Sequence, residues 1–300
     1  MNRRAFLKSA AAAGFLLTIP GSRHPLLSGL EAAGLPDLCV VRGKSATASV
    51  RAAIDGLGGI RRFISRGDIV VVKPNIGWDR TVEFAANTNP EVVASVVRLC
   101  IEAGAKKVKV FDHPVSDARR TYRQSGIAAA AGEAGAEVSF TDDRKFREMK
   151  IGGETLKSWP IYTEAVEADK LINIPIPKVH GTSRLTLGMK NLMGVMGGWR
   201  GRIHQRIDES LVDLAAFVKP SLVVMDAVRI LTSNGPQGGD LADVKRLDTV
   251  AVCADQVAAD AFGATLFGLK PNDLGCVRLG QQAGLGRMNL EKLNIRTIEL

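Results

Sequence analysis

The chain has 300 residues, of which 46% are hydrophobic, so it is long enough to bury the core of one large domain. Its net charge of +9 favours an anionic partner, but only 5% of the residues are aromatic. The sequence also lacks a zinc-finger pattern and a basic helix, so we expect no nucleic acid among its partners. After the leader, no apolar run reaches the roughly 18 residues that indicate a transmembrane helix.

The first residues predict an export signal. Arg3 and Arg4 are followed by an apolar run over residues 10–19, an order that resembles the twin-arginine signals of bacteria. We therefore expect the twin-arginine export machinery to be a partner, and the domain over residues 35–300 to be periplasmic. No clear cleavage site follows the apolar run, so residues 1–34 could instead stay attached as a membrane anchor or form an amphipathic helix.

Strand and helix patterns alternate along the rest of the chain. The predicted strands are residues 38–41, 68–73, 108–111, 136–140, 170–174, 221–226, 247–253 and a last one near 294–299. The predicted helices are residues 47–57, 90–103, 125–134, 208–218 and 256–269. Residues 142–160 interrupt the alternation and are interpreted as an insertion. The pattern predicts an α/β fold: a mostly parallel sheet flanked by helices, in a single domain with a small hairpin-like insertion.

Polar residues follow the predicted strands directly. In sheets of this kind ligands bind beyond the carboxyl ends of the strands, so Lys73, Asn75 and Lys178 are expected at one edge. A plain turn with a solvated lysine is the alternative at Lys73. Asn234 lies in a turn-rich loop, residues 233–240, that could close over a ligand.

The strongest functional signal is a basic window. Residues 170–207 contain no Asp or Glu, but seven Lys or Arg, two His and six Gly. Lys190 and Asn191 lie between two glycines, where the backbone can approach a ligand closely. Arg200, Arg202 and His204 alternate, which would place them on one side of an extended segment. The window predicts a site for a small anionic molecule, with a flexible basic loop as the alternative.

The candidates for proton transfer are histidines and one buried carboxyl. His204 and His180 lie in the basic window, and Asp260 lies inside a predicted helix, where capping does not explain it. His113, His180 and His204 could also hold a metal with Asp112 or Asp226. Because no two of these histidines have a short ligand spacing, we predict no metal site.

The sequence motifs do not identify a cofactor, which therefore stays unknown. The four cysteines form no Cys-x-x-Cys pair, so there is no iron–sulfur motif, and we expect them to be small core residues. The sequence has no P-loop and no G-x-G-x-x-G, so no nucleotide-binding fingerprint is present.

Several segments resemble the DUF362 family of bacterial and archaeal proteins. They are VVVKPNIGW, NPEVVASVVRLCIEAGAKKV, INIPIPKVH, KNLMG, DAVRILTSNGPQGGD and ADQVAADAFGATLFGL, in order over about residues 37–298. The resemblance implies an α/β fold and a shared site pattern that falls here on Lys73, Asn75, Lys178, Lys190, Asn191, His204, Asn234 and Asp260. Some family members carry ferredoxin-like cysteine clusters, which this sequence does not have, so an electron-transfer role is not carried over.

These sequence features are compatible with three alternative functions. The first is an exported protein that binds a small anion in a Lys/Arg/His/Gly-rich pocket and, as an enzyme, uses a histidine as general acid or base. The second is a non-catalytic periplasmic binding or accessory factor for a redox system, with a redox partner protein. The third is a surface protein whose basic loop docks on anionic lipid.

Overall fold

The computed structural model describes residues 34–300, so the export signal predicted over residues 1–34 lies outside the described residues except for Gly34. The strands are β1 (Leu38–Arg42), β2 (Ile69–Pro74), β3 (Lys107–Val110), β4 (Glu137–Val138), β5 (Phe146–Lys150), β6 (Ser158–Tyr162), β7 (Lys170–Ile174), β8 (Lys178–His180), β9 (Arg184–Thr186), β10 (Leu222–Leu231), β11 (Val244–Cys253) and β12 (Ile295–Glu299).

Helices connect most of these strands. They are α1 (Ala46–Gly56), α2 (Pro90–Glu102), α3 (Ala118–Gln124), α4 (Ile127–Glu133), α5 (Thr163–Glu167), α6 (Gly188–Asn191), α7 (Ile207–Val218), α8 (Gln256–Thr265) and α9 (Gly275–Gln282). Short 3₁₀ helices include Leu192–Val195 and Arg200–Arg206 in the basic window. None of the helices in residues 34–300 is long and apolar enough to cross a membrane.

The main sheet has the strand order β12-β1-β11-β10-β7-β2-β3-β4, with β8 and β9 attached beside β10. Strand β11 runs antiparallel to both of its neighbours, and the other pairs along this order are parallel. The predicted fold class is thereby confirmed. The hairpin-like insertion is the antiparallel pair β5–β6, in a small sheet of its own.

The core lies on both faces of the main sheet. Strand β2 shows why: Val70 and Val72 pack with the cluster under α1, α2 and α4, whereas Val71 packs with the cluster under α6, α7, α8 and α9. A strand that is buried on both faces needs apolar side chains at every position, which explains the unbroken β-branched run in the sequence.

The predicted helix starts are confirmed where a side chain caps the helix. The Asn89 side chain accepts from the Glu91 backbone N–H at the start of α2, and Asp255 accepts from Ala258 at the start of α8. The helix predicted over residues 125–134 corresponds to α4, which begins after Gly126 with its positive φ of 73°, and the helix α3 before it was not predicted.

Candidate functional site

A cavity of about 560 Å³ opens at the carboxyl ends of β2, β3 and β7. Its walls come from the loops after those strands, from the basic window and from the loop after β10. They are Asn75, Gly77, Trp78, Asp112, His113, Val115, Lys178, His180, Thr186, Lys190, Asn191, Met193, Gly194, Gly198, Trp199, Arg200, Gly201, His204 and Pro236. The basic window therefore forms much of this cavity and is not a free loop.

Lys73 lies behind the cavity wall in a buried ion pair. Its Nζ is 2.7 Å from Asp112 Oδ1, and both side chains are almost fully buried. Lys73 Nζ also donates to the carbonyl oxygen of Pro74 at 2.8 Å. Burial lowers the pKa of Lys73, while the Asp112 charge acts in the opposite direction. Lys73 therefore has its counter-charge inside the protein.

Backbone amides complete the surroundings of Asp112, and Gly194 covers it. Asp112 accepts from the backbone N–H of Ile76 at 2.6 Å and of His113 at 3.0 Å. A Cβ at Gly194 would lie 1.7 Å from Asp112 Oδ1 and 2.6 Å from Lys73 Nζ. Only glycine lets the backbone of the basic window approach this ion pair so closely.

Asparagines link the cavity to the core. Asn75 Nδ2 donates to Asn191 Oδ1 at 2.9 Å, and Asn191 Nδ2 donates to Asn173 Oδ1 at 2.8 Å. Asn173 Nδ2 in turn donates to the Gly188 carbonyl at 2.8 Å. Each amide group is oriented by the next, so this chain of hydrogen bonds fixes Asn75 and Asn191 in the cavity wall.

Lys178 lies at the end of this series of hydrogen bonds. It has no carboxylate partner in residues 34–300. Its Nζ donates to Asn75 Oδ1 at 3.0 Å and to the Ala86 carbonyl, and the residue is 1% exposed. Burial lowers the pKa of Lys178 to about 7; Asp112 opposes the shift, and the charges of Lys190 and Lys73 add to it. A buried ammonium that has only neutral partners favours an anion beside it.

Lys190 and two histidines form the opposite wall. Lys190 Nζ lies 3.4 Å from His204 Nε2 and 3.0 Å from the sulfur of Met193. The rings of His204 and His180 stack with their centroids 5.9 Å apart. Burial and the Arg200 charge lower the pKa of Lys190 to about 8, and burial with the charge of Lys190 lowers the pKa of His180 to about 3. His204 also has a lowered pKa, mainly through burial.

Arg200 holds the rim of the cavity together. Its guanidinium donates to the backbone carbonyls of His113 and Pro114, both at 2.8 Å. Burial lowers the pKa of Arg200, with Asp112 acting against this shift. The segment is a 3₁₀ helix and not the extended stretch that the alternation suggested, so Arg200 and Arg202 do not share a face. Arg202 is exposed and lines a separate groove.

The structure places two further predicted residues away from the cavity. Asn234 donates to the carboxylate of Asp243 at 2.9 and 3.0 Å. Asp260 accepts from the backbone N–H of Gly188 at 2.6 Å and of Met189 at 2.9 Å, and burial raises its pKa to about 7. Asp260 thus supports α6 from behind, and does not reach a ligand in the cavity.

Other wall residues carry no clear signal in the sequence. Trp78 lies within the KPNIGW segment and Pro236 within the loop of Asn234, but neither had a chemical feature that pointed to a site. Asp112 was predictable only as a polar residue after a strand. Its partner Lys73 is 39 positions away, and no local spacing links the two.

The described residues contain no group of three or more His, Cys, Asp or Glu that could hold a metal ion. His113 Nδ1 lies 2.7 Å from the Met196 carbonyl oxygen, whereas His180 and His204 stack on each other. All four cysteines are free thiols, and Cys39, Cys100 and Cys253 are buried in the core, as predicted.

Taken together, the cavity wall carries Lys178, Lys190 and Arg200, and Asp112 is its one carboxylate within the described part of the chain. Because Asp112 is already paired with Lys73, the wall has an excess of positive charge. The arrangement can bind an anion, and His204 beside Lys190 can take up or release a proton there.

Comparison with known proteins gives a family and more distant likenesses. The model of a family described as "Domain of unknown function (DUF362)" matches residues 70–265. A thylakoid-associated protein of Synechocystis sp. is 29% identical over 249 residues, which are 80% of this chain and 76% of that protein.

Two solved structures share part of the backbone arrangement. The lactate racemase apoprotein from Thermoanaerobacterium thermosaccharolyticum has a TM-score of 0.48 and 14% identity over 76% of this chain. A Thermotoga maritima protein has a TM-score of 0.41 and 9% identity over 80% of this chain. The chain spans only 56% and 60% of the lengths of these two proteins.

Proposed function

The chain belongs to the DUF362 family, whose description assigns no activity, and we propose that it binds a small organic anion in the cavity at the strand ends. The observation that carries this proposal is the excess of cations: Lys178, Lys190 and Arg200 line the cavity, while its carboxylate is already paired. An anion there would supply the missing counter-charge. A carboxylate or a phosphate group fits this set of donors.

We assign different roles to the cations from their contacts. Lys178 is buried and held by Asn75 at the base of the cavity, and its pKa is lowered to about 7, so an anion beside it would favour its charged form. Lys190 is partly exposed and contacts only the neutral groups of Met193 and His204, so its ammonium is free to pair with the ligand. Arg200 already donates to two carbonyls and mainly shapes the rim.

As an enzyme, the protein would use His204 as general acid or base, with His180 stacked on it. The pKa of His204 is lowered by burial and by the Lys190 charge, so the ring is neutral at physiological pH and can accept a proton. Because an anion would be held beside Lys190, which lies 3.4 Å from His204 Nε2, the ligand and the base would meet in the same space.

The first experiment measures binding by the full chain. Trp78 and Trp199 line the cavity, so their fluorescence reports on a ligand. We expect sulfate, phosphate and small carboxylates to bind at low salt, and Lys190→Met to weaken them about tenfold. Arg202→Ala is the matched control, since this exposed arginine lies outside the cavity and should leave short anions unaffected. No response to any of these anions at low salt would refute the proposal.

A second experiment separates catalysis from binding alone. Small carboxylic acids are incubated with the protein in D₂O, and NMR follows deuterium uptake at the carbon next to the carboxylate. A histidine base predicts exchange that His204→Gln removes while binding is retained. Binding without exchange for any acid would favour the non-catalytic accessory factor over this enzyme.

We also propose export by the twin-arginine route. The proposal is supported by Arg3, Arg4 and the apolar run in residues 10–19, and by a relative that is named as thylakoid-associated. A fusion of residues 1–34 to a reporter should be exported in bacteria, and replacement of both arginines by lysine should stop the export. Export of the double-lysine fusion would contradict this route.

A further inference from the structure

A groove lies next to the cavity, on the other side of Trp199. It has a volume of about 490 Å³ and runs along the loop of the β5–β6 hairpin. Gly198 and Trp199 line both the groove and the cavity. The Trp199 residue is 75% exposed, which is unusual for a tryptophan and leaves its ring open to a ligand that crosses from one space to the other.

Two cations line this groove. Lys157 donates to the Gly153 carbonyl at 3.0 Å, whereas Arg202 is unpaired among the described residues. The Arg202 side chain makes no hydrogen bond or ion pair with any residue in the described range 34–300. The neighbouring arginines both have partners. Arg200 donates to backbone carbonyls, and Arg206 is paired with Glu209 at 3.3 Å. Arg202 also lines a smaller space of about 160 Å³ below the groove.

Two residues that line that smaller space carry buried hydroxyl groups without a partner. Thr155 Oγ1 and Ser210 Oγ make no hydrogen bond, and Ser210 is 1% exposed. A buried hydroxyl without a partner is unfavourable, so rotation of either hydroxyl toward an acceptor that is supplied from outside would be favoured. They lie with Arg202 around the same space, which gives one cation and two donors.

Three carboxylates lie near these two spaces, and none is paired with Arg202. Glu148 lines the groove and accepts from the Ser158 hydroxyl. Asp213 accepts from the backbone N–H of Thr155 and Leu156, both at 2.8 Å. Glu209 is paired with Arg206. None of the three forms an ion pair with Arg202, so an anionic group from a ligand can serve as its partner.

We infer that the ligand is elongated and carries two anionic groups. One group lies in the cavity, the middle of the ligand crosses the face of Trp199, and the second group reaches Arg202 and the hydroxyls of Thr155 and Ser210. This inference rests on the proposed function for the first anionic group. It also assigns a role to Arg202. The basic window predicts Arg202 as a ligand-binding residue, but Arg202 does not line the cavity.

The test uses linear dicarboxylates from succinate to dodecanedioate and monocarboxylates of the same lengths, titrated into the full chain by calorimetry. Succinate reaches only the cavity. Once the second carboxylate passes Trp199, we expect the affinity of dicarboxylates to exceed that of the matched monocarboxylates. Arg202→Ala should weaken the long dicarboxylates about fivefold and leave succinate and all monocarboxylates unchanged.

A second variant distinguishes binding from folding. Ser210→Ala removes a hydroxyl that has no partner in the folded protein, so it should not lower the melting temperature. The same variant should weaken the long dicarboxylates, with succinate as the internal control. A loss of stability in Ser210→Ala, without a change in affinity, would count against the second site.

The failures of the two proposals have different signatures. If succinate binds and Lys190→Met weakens it, but Arg202→Ala leaves every chain length unchanged, the elongated ligand is refuted and the cavity proposal stands. If Arg202→Ala weakens succinate as much as dodecanedioate, Arg202 acts only as a general surface charge and the inference is also refuted. If neither succinate nor any longer acid binds, both proposals fail.

Discussion

Replacement of Lys190 by arginine tests whether the cavity binds anions through an ammonium with a lowered pKa. Burial and Arg200 lower the pKa of Lys190 to about 8 from an ordinary value of 10.5. An anion beside Lys190 stabilises the charged form, so it raises this pKa and binding takes up a proton above about pH 8. The affinity is therefore highest below that pH and is lost as the pH rises through it.

The size of the effect follows from the two pKa values. At about pH 9 some nine tenths of Lys190 is neutral in the free protein, whereas at about pH 7 some nine tenths is charged. If the bound anion restores the ordinary pKa, the wild type loses about tenfold in affinity over this range through Lys190 alone. Lys190→Arg loses none of this share, because arginine stays charged.

The assay is calorimetric titration of sulfate into both proteins at these two pH values. Sulfate does not titrate in this range, and Lys178, His180 and His204 are present in both proteins. The expected result is that the ratio of the two affinities changes about tenfold in favour of Lys190→Arg as the pH rises. A ratio that stays constant would refute the reasoning, as would wild-type binding at the higher pH with no proton uptake.

Three further predictions concern the core of the site. Gly194→Ala places a methyl group 1.7 Å from Asp112 Oδ1 and should destabilise the protein by about 3 kcal/mol in denaturant unfolding, whereas Gly181→Ala, with nothing within 4 Å, should be near neutral. Asp112→Asn leaves the buried Lys73 without its counter-charge and should cost about 3–5 kcal/mol; a loss below about 1 kcal/mol would contradict the buried pair. Cys100, whose pKa burial raises to about 12, should react with a thiol reagent only after unfolding, so mass-spectrometric detection of the adduct on the native chain would contradict its burial.

The position of the site could be predicted because strand ends are readable in the sequence. The β-branched run before Lys73 and the apolar run from Lys170 to Ile174 indicate buried strands, and the polar residues after them must meet at one edge of a parallel sheet. Asn75 and Lys178 lie on the cavity for this reason, whereas Lys190 and Asn191 reach it from α6.

The role of each cation could not be predicted in the same way. Lys73 and Lys178 both follow buried strands, but Lys73 is neutralised by Asp112 and Lys178 is held by Asn75. Which lysine meets the carboxylate depends on the distance between strands β2, β3 and β8 in space. The spacing of residues along the chain contains no information about that distance.

The same limit applies to the arginines. Arg200 and Arg202 alternate in the sequence, and alternation places residues on one side only if the backbone is extended. The segment folds as a 3₁₀ helix, so Arg200 turns toward the cavity rim and Arg202 toward the groove. The separation of these two arginines is what divides the surface into a cavity and a second space.

The sequence by itself determined the α/β fold, the eight strands from β12 to β4 of the main sheet, five of the helices and the basic edge, because hydrophobic periodicity and charge are local properties of the chain. Only the tertiary structure decided that Lys178, Lys190 and Arg202 have no carboxylate partner in the described part of the chain. The function proposed for this protein depends on these cations having no carboxylate partner there. The pairing of each cation arises from contacts between residues far apart in sequence, and the free energy of each charge depends on those contacts and on its burial.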